Sequence, residues 1–145
     1  MNDQDPVALV RRAVQRLARR LRRERPHDGL SATKLSLLAQ LMDQGPLTSG
    51  ELARLLRTTP QALTRSIEAL VEDELVRRTR STVDKRQQML TITDAGFEAL
   101  GRDAEPRDAF LGRAMADLLT PAERQLLVVA AGLMFRLADH VPAGR

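Results

Sequence analysis

Cysteine, tryptophan and tyrosine are absent from this sequence of 145 residues, and aromatic residues make up only 2% of it. Without cysteine, the chain can form no disulfide, no thiolate nucleophile and no thiol redox sensor. It has two histidines, His27 and His140, and no glycine-rich phosphate-binding loop. Nucleophilic triads and most zinc sites cannot be assembled from this set within one chain. The sequence therefore predicts a protein that is not an enzyme and that uses no cofactor or metal ion.

Long apolar runs are missing as well. The longest, Leu126 to Phe135, is far shorter than the roughly 18 residues that a membrane span requires. The first residues, M-N-D-Q-D-P, lack the basic and then apolar pattern of a secretory signal. We therefore expect a cytoplasmic protein with no membrane partner.

Hydrophobic residues make up 43% of the chain and charged residues 29%, which is typical of a globular protein. With so few aromatics, the core must consist of aliphatic side chains, and this favours packed helices.

Positive charge is in excess, with a formal net charge of +4, which is compatible with a polyanionic partner. The charge is unevenly distributed. Residues 77 to 86 contain five basic side chains and one acid, Asp84. Residues 6 to 25 are predicted to form a helix rich in arginine, with Arg12, Arg16, Arg19 and Arg23 on one side. We call these four residues the arginine stripe.

The opposite side of this first helix is apolar. Val7, Val10, Val14, Leu17 and Leu21 recur at alternating spacings of three and four residues, which is the pattern of a helix–helix seam. Arg11 and Arg22 lie on the flank of the seam. The segment Arg25-Pro26-His27-Asp28-Gly29 is predicted to end the helix.

Start signals then follow for three helices. Ser31 is placed to cap the first of them, and Thr48 and Glu51 have the spacing of a capping box at the start of a short second one. Thr59 and Pro60 start the third as N-cap and first-turn proline, with Leu63, Ile67 and Leu70 on its core face. Two short helices joined by a tight turn form a helix-turn-helix pattern, which also occurs in many helical proteins that do not bind DNA.

Two strands are predicted next, at Val76 to Arg80 and Gln88 to Ile92, so that Asp84, Lys85 and Arg86 lie at the tip of a hairpin. Thr93 then caps a long helix, which Pro106 should kink or break near Glu105.

The segment Thr120-Pro121-Ala122-Glu123 is a strong start signal for a last helix. That helix is apolar almost all round, and a chain of this size has too little core to cover it. A partner subunit is therefore expected.

The order of these elements, together with one motif, resembles the multiple-antibiotic-resistance regulator (MarR) family. The motif is Asp84-x-Arg86 followed by Ile92-Thr93 and Gly96, in the family spacing D-x-R-x5-[LI]-T-x-x-G. The resemblance implies a mainly α fold with a small β-hairpin wing. It divides the chain into an N-terminal dimerisation helix (residues 1–30), a winged helix-turn-helix lobe (31–96), and a linker helix with a C-terminal dimerisation helix (97–145).

For function, the resemblance implies a sequence-specific regulator of transcription, expected to be a repressor, that binds double-stranded DNA. Arg86 would enter the minor groove, with its guanidinium held in a bidentate pair by Asp84. Gln61 and Arg65 are side-chain types that read base edges in the major groove. The full set of expected DNA-binding residues is Arg57, Thr58, Thr59, Gln61, Ala62, Thr64, Arg65, Arg77, Arg80, Asp84, Lys85 and Arg86.

The resemblance also implies a homodimer on a pseudo-palindromic operator and release by a small anionic aromatic effector, a phenol or carboxylate. Arg11 and Arg22 are the candidate ligand-binding residues, because an arginine can pair bidentately with a carboxylate. The expected dimerisation residues are Val7, Val10, Val14, Leu17, Leu21, Leu126, Leu127, Leu133, Met134 and Leu137.

The sequence leaves two alternative functions open, and it departs from the family pattern at one position. The arginine-rich first helix could instead bind an acidic protein or an anionic membrane surface. His27-Asp28 and Asp139-His140 could meet in a dimer as a metal site, although histidines in loops and at chain ends are usually solvated. The family often has glycine between the recognition helix and the wing, where this chain has Glu74. That substitution costs about 1 kcal/mol if the position needs a positive φ.

Overall fold

The computed structural model of the chain describes residues 5–140. It contains a mostly helical chain with one antiparallel hairpin, as the sequence predicts. In order, the elements are α1 (Pro6–Arg22), α2 (Ala32–Gln44), α3 (Ser49–Leu55), α4 (Pro60–Glu72), β1 (Val76–Arg80), β2 (Gln88–Ile92), α5 (Asp94–Leu118) and α6 (Pro121–Ala138). The chain divides into two compact units between Arg107 and Asp108. None of the helices within residues 5–140 is long and apolar enough to cross a bilayer.

Side-chain caps fix the starts of the helices where the sequence places them. The Ser31 hydroxyl accepts a hydrogen bond from the Lys34 N–H at 3.3 Å, and Thr48 and Glu51 form the predicted capping box at α3. Thr120 and Glu123 form a second box at α6. In the first box, the backbone N–H and the hydroxyl of Thr48 stabilise the carboxylate and lower the pKa of Glu51. These caps satisfy N–H groups that have no partner within the helix.

Two helices end in the same way, with a non-glycine residue in the left-handed conformation. After α3, Arg57 has a φ of 52°, and the Thr58 N–H donates to the Ala53 carbonyl at 2.9 Å. After α4, Glu74 has a φ of 58°, and the Leu75 N–H donates to the Leu70 carbonyl at 2.9 Å. Both are Schellman caps, which usually have glycine at this position. The position of Glu74 therefore does need a positive φ, and the chain carries that strain without glycine.

One aliphatic core lies beneath the helix-turn-helix and the hairpin. Its buried members come from α2, α3, α4 and both strands: Leu37, Leu38, Leu41, Leu52, Ala53, Leu63, Ile67, Leu70, Val76, Leu90 and Ile92. The strands pair in register from Val76 opposite Ile92 to Arg80 opposite Gln88. The backbone of Leu47 adds two hydrogen bonds to Leu90, at 3.1 and 2.7 Å. Helix α4, the recognition helix of the helix-turn-helix, thus shares one core with the base of the hairpin, and this core fixes the helix relative to the hairpin.

The segment between β2 and α5 is held by Thr93 and Gly96. The Thr93 hydroxyl donates to the Glu74 carbonyl at 2.7 Å and accepts from the Gly96 N–H at 3.1 Å. A Cβ at position 96 would lie 2.3 Å from the Leu75 carbonyl oxygen and 2.7 Å from Cγ1 of Ile92. The T-x-x-G part of the family motif is therefore structural, because it fastens α5 to the turn between the recognition helix and the wing.

Of the kink or break expected at Pro106, the break is wrong, since α5 runs without interruption from Asp94 to Leu118 with Pro106 inside it, whereas the kink stays a prediction. Proline fixes φ near the helical value and removes a single backbone hydrogen bond, so neighbouring turns can carry the helix past it. The residue after it, Arg107, also forms an ion pair across this turn with Asp103 at 2.6 Å.

Asp103 is the one charged residue that is buried among those the structure describes, with 4% of its surface exposed. Its Oδ2 lies 2.6 Å from Nη2 of Arg107, and its Oδ1 lies 3.7 Å from Nη2 of Arg25. Neither carboxylate oxygen accepts a hydrogen bond from a described residue, so the two ion pairs are what compensate its charge. Arg25 also donates to the Leu30 carbonyl at 2.8 Å. The cluster joins α5 to the segment after α1, and no pattern in the sequence indicates it.

Candidate nucleic-acid interface

Helix α4 has one buried face and one open polar face. Leu63, Ile67 and Leu70 point into the core, as predicted. The residues expected to read DNA are exposed at the N-terminal end of the helix and just beyond it: Gln61, Ala62, Thr64 and Arg65. The Thr64 hydroxyl donates to the Pro60 carbonyl at 3.1 Å, which leaves its oxygen free to accept. Amide, hydroxyl and guanidinium groups side by side on a helix end are the groups that pair with base edges in a major groove.

The turn before α4 presents Arg57, Thr58 and Thr59, all exposed. The Thr59 hydroxyl oxygen accepts from the Ala62 N–H at 3.3 Å as the N-cap, so its proton remains available to donate. The Schellman cap fixes the backbone at Arg57 and directs the chain sharply from α3 into α4. Hydroxyl donors, a cation and a helix N-terminus together form a surface suited to phosphate oxygens.

The wing tip, residues 81 to 87, is held by its own short-range hydrogen bonds. The Ser81 hydroxyl accepts from the N–H groups of Val83 and Asp84, both at 3.2 Å. The Ser81 N–H donates to the Gln87 carbonyl at 3.0 Å, and the Gln87 N–H donates to the Asp84 carbonyl at 2.9 Å. Lys85 and Arg86 are therefore displayed on an ordered loop and are open to solvent.

The role expected for Asp84 is wrong in one respect. Its Oδ1 accepts a hydrogen bond from the backbone N–H of Arg86 at 2.9 Å. Within residues 5–140 it forms no ion pair with the Arg86 guanidinium. A carboxylate two residues before an N–H closes an Asx turn more readily than it reaches around to a long side chain. Asp84 thus sets the path of the backbone and leaves the Arg86 guanidinium unrestrained by its carboxylate.

Arg77 and Arg80 lie exposed on β1, as expected, and the structure adds Arg78 to them. Nη1 of Arg78 donates to Oε1 of Gln88 at 3.1 Å across the hairpin. These two side chains, with Ser49, Thr64 and Glu68, line a cavity of about 120 Å³ between the recognition helix and the wing. The sequence did not single out Arg78, because its partner Gln88 lies on the other strand.

The two candidate ligand-binding arginines are separated by the structure. Arg22 lines a groove of about 460 Å³ formed by α1, α2 and α5, together with Arg25, Arg107 and buried Asp103. Leucine, alanine and serine side chains supply its remaining walls. Arg11 is exposed on α1 and is not among the residues that line this groove. Across the part of the chain that the structure describes, no cluster of three or more acidic or histidine side chains could hold a metal ion.

Comparison with known proteins agrees with this geometry. The chain is 35% identical over 130 residues to an uncharacterised HTH-type transcriptional regulator of Mycobacterium bovis, and the match covers 90% of each chain. Residues 30–87 match the family model described as the MarR family. The chain belongs to the MarR family of transcriptional regulators. It is therefore a winged helix-turn-helix protein that binds DNA, and it is not an enzyme. The alternative of an interaction module that binds an acidic partner or a membrane is not favoured.

Two further MarR-type relatives extend the comparison. The HTH-type transcriptional repressor MdtR of Bacillus subtilis is 30% identical over 111 residues, which cover 77% of this chain and 69% of MdtR. The crystal structure of a transcriptional regulator from Pseudomonas aeruginosa superposes with a TM-score of 0.78 at 29% identity, covering 93% of this chain and 94% of that one. The fold of this chain is thus the MarR fold along nearly its whole length.

Proposed function

We propose that this MarR-family chain represses transcription as a homodimer bound to a pseudo-palindromic operator. The observation that carries the proposal is the common core beneath α4 and the hairpin base, which holds the polar end of the recognition helix and the wing in a fixed relation. Two such readers related by a two-fold axis would enter successive major grooves, with half-sites about 10 bp apart from centre to centre. The likeness to MdtR, a repressor, supports repression as the sign of regulation.

The homodimer is supported by apolar side chains that a single chain leaves in water. No residue of α1 or α6 is buried. Along the α1 seam, Val7 is 75% exposed, and on α6 Leu126 is 68% exposed. Exposed apolar patches of this kind mark interfaces between subunits. We propose the expected dimerisation residues, from Val7 to Leu21 on α1 and from Leu126 to Leu137 on α6, as that interface.

Substitutions at the two DNA-contacting surfaces should have different effects. Gln61→Ala or Arg65→Ala should relax base preference at one position of each half-site, and each bidentate pairing that is removed should cost about 1–3 kcal/mol of discrimination. Arg86→Ala should weaken binding to A·T-rich sites while thermal stability stays unchanged, because its side chain is exposed and Asp84 binds only its backbone. Binding to arrays of single-base operator variants measures both effects.

The structure offers a matched control for the wing. Asp84→Ala removes the hydrogen bond to the Arg86 N–H and leaves the cation in place, so it should weaken binding less than Arg86→Ala does. If Arg86→Ala unfolds the protein, or changes base preference as Gln61→Ala does, the proposed role of the wing is wrong.

An anionic effector is proposed for the groove that contains Arg22. Arg25 and Arg107 in this groove already pair with Asp103, which leaves Arg22 beside apolar walls, a combination suited to the carboxylate and ring of a small aromatic acid. Such a ligand would release DNA if it bound better to a dimer whose recognition helices are wrongly spaced, and a tenfold preference shifts that equilibrium by about 1.4 kcal/mol. Arg11, outside the groove, provides the control position.

A thermal-shift screen of aromatic carboxylates, followed by titration of the protein–DNA complex with each hit, tests the effector. Arg22→Gln should abolish both stabilisation and release, whereas Arg11→Gln should leave both intact. If salicylate-like compounds neither stabilise the protein nor release DNA, the effector proposal fails and the proposal of operator binding stands.

A further inference from the structure

The arginine stripe, on α1 and at its C-terminal end, is a strongly charged surface that the proposed operator contacts leave unused. Arg16, Arg19 and Arg23 are exposed, and within residues 5–140 they form no ion pair or side-chain hydrogen bond. Together with Arg20, which pairs with Glu24, they line a shallow depression on the helix surface. Three unpaired guanidinium groups on one helix face strongly attract a polyanion.

The geometry points to the sugar–phosphate backbone of a second DNA duplex, and we propose that α1 binds one independently of its sequence. From Arg16 to Arg23 the helix rises about 10.5 Å, at 1.5 Å per residue. One strand of a duplex presents a phosphate about every 3.4 Å along the axis, so the three arginines face a run of about three phosphates. Arginine binds phosphate oxygens through paired N–H groups and remains charged throughout the physiological pH range.

Two observations favour a duplex over an anionic membrane. Helices that lie on membranes insert tryptophan, phenylalanine or leucine on the side opposite their cations. In α1 that side is the seam from Val7 to Leu21, which the homodimer needs, and the helix contains no aromatic residue. The stripe also belongs to a different element from α4 and the wing. None of its arginines is among the proposed operator contacts, so the proposal has both stripes available to another stretch of DNA while the recognition helices hold an operator.

The proposal goes beyond operator recognition, because it predicts that the dimer bridges two duplexes. The test uses wild-type protein bound to an immobilised operator duplex, with capture of a fluorescent random-sequence duplex as the readout. The variant Arg16→Gln, Arg19→Gln, Arg23→Gln should capture the second duplex about tenfold less at low salt, with unchanged affinity for the operator. Glutamine keeps the helix propensity of the segment, so α1 should stay folded.

A charge-matched control comes from exposed helical arginines elsewhere in the chain. Arg102→Gln, Arg113→Gln, Arg136→Gln removes the same number of cations per protomer and should retain capture. Equal capture by wild type and the stripe variant would overturn the proposal, as would an equal loss in the control. Flotation of the wild type, but not of the stripe variant, with phosphatidylserine vesicles and without duplex capture would identify a membrane partner and also overturn it.

A second readout separates this proposal from the proposed operator function. On a random-sequence duplex alone, the stripe variant should lower the slope of log affinity against log salt by about 2.7 per protomer, because each phosphate that an arginine no longer neutralises reduces the slope by about 0.9. That measurement needs no operator. It supports or contradicts the stripe even if no specific site is selected from random DNA.

Discussion

Replacing Arg25 and Arg107 together with methionine is expected to lower the free energy of unfolding by about 3–5 kcal/mol. The two guanidinium groups are the ion-pair partners of Asp103, at 3.7 and 2.6 Å. The side chain of Asp103 is only 3% exposed, whereas those of Arg25 and Arg107 are 26% and 24% exposed. Without its partners the carboxylate would remain buried and uncompensated, which is a far larger penalty than losing a surface ion pair. Methionine keeps most of the packing of the arginine stem.

The order of stability among the variants makes this test specific. Adding Asp103→Leu to the double variant removes the buried charge, so the triple variant should regain much of the lost stability. Comparing the triple variant with Asp103→Leu, Arg107→Met, which retains Arg25 but has no carboxylate for it to pair with, isolates the loss of the hydrogen bond to the Leu30 carbonyl. Urea unfolding at a fixed protein concentration measures all of these variants beside the wild type. A triple variant no more stable than the double one would show that Asp103 does not depend on the two arginines.

Gly96→Ala is the other substitution with a large expected effect, a loss of about 3 kcal/mol in the free energy of unfolding. The added Cβ would lie 2.3 Å from the Leu75 carbonyl oxygen. That oxygen cannot easily move away, because it accepts a hydrogen bond from the Thr93 N–H at 3.1 Å. The backbone between the recognition helix and the wing must therefore shift, and operator affinity should fall along with stability.

The same helix offers a matched control. Gly101 also lies in α5, but a Cβ there would meet nothing within 4 Å. Gly101→Ala should therefore raise the free energy of unfolding by about 0.5–1 kcal/mol, because alanine loses less backbone entropy in a helix. Thermal unfolding of both variants measures the contrast. If Gly96→Ala is as stable as Gly101→Ala, the close approach of Gly96 to Leu75 does not constrain the fold.

Features encoded by short-range patterns could be predicted from the sequence. Both strands have the predicted bounds, because alternation and the charged segment between them define a hairpin. The caps at Ser31, Thr48 and Thr120 are confirmed for the same reason, since each depends on residues within three positions of one another. The family motif then identified the wing, and with it the DNA-binding class of function.

Features that depend on distant residues or on side-chain direction could not be predicted. Asp103 and Arg25 are far apart in the sequence, and no periodic pattern links them. Arg11 and Arg22 look alike on a helical projection, and the placement of α2 and α5 shows which of them lies at a groove. At Asp84, the motif identified the residue but not its partner, since a carboxylate can close a turn or pair with a guanidinium. Pro106 shows that a proline signal can be outweighed by the turns on either side of it.

Two copies of this chain are proposed to read one operator through α4 and the wing. The most direct test is to select bound duplexes from random DNA and to sediment the protein with the selected duplex. We expect an inverted repeat with half-sites about 10 bp apart and a complex of two chains per duplex. A single half-site bound by one chain, or no duplex selected at low salt, would contradict the proposal.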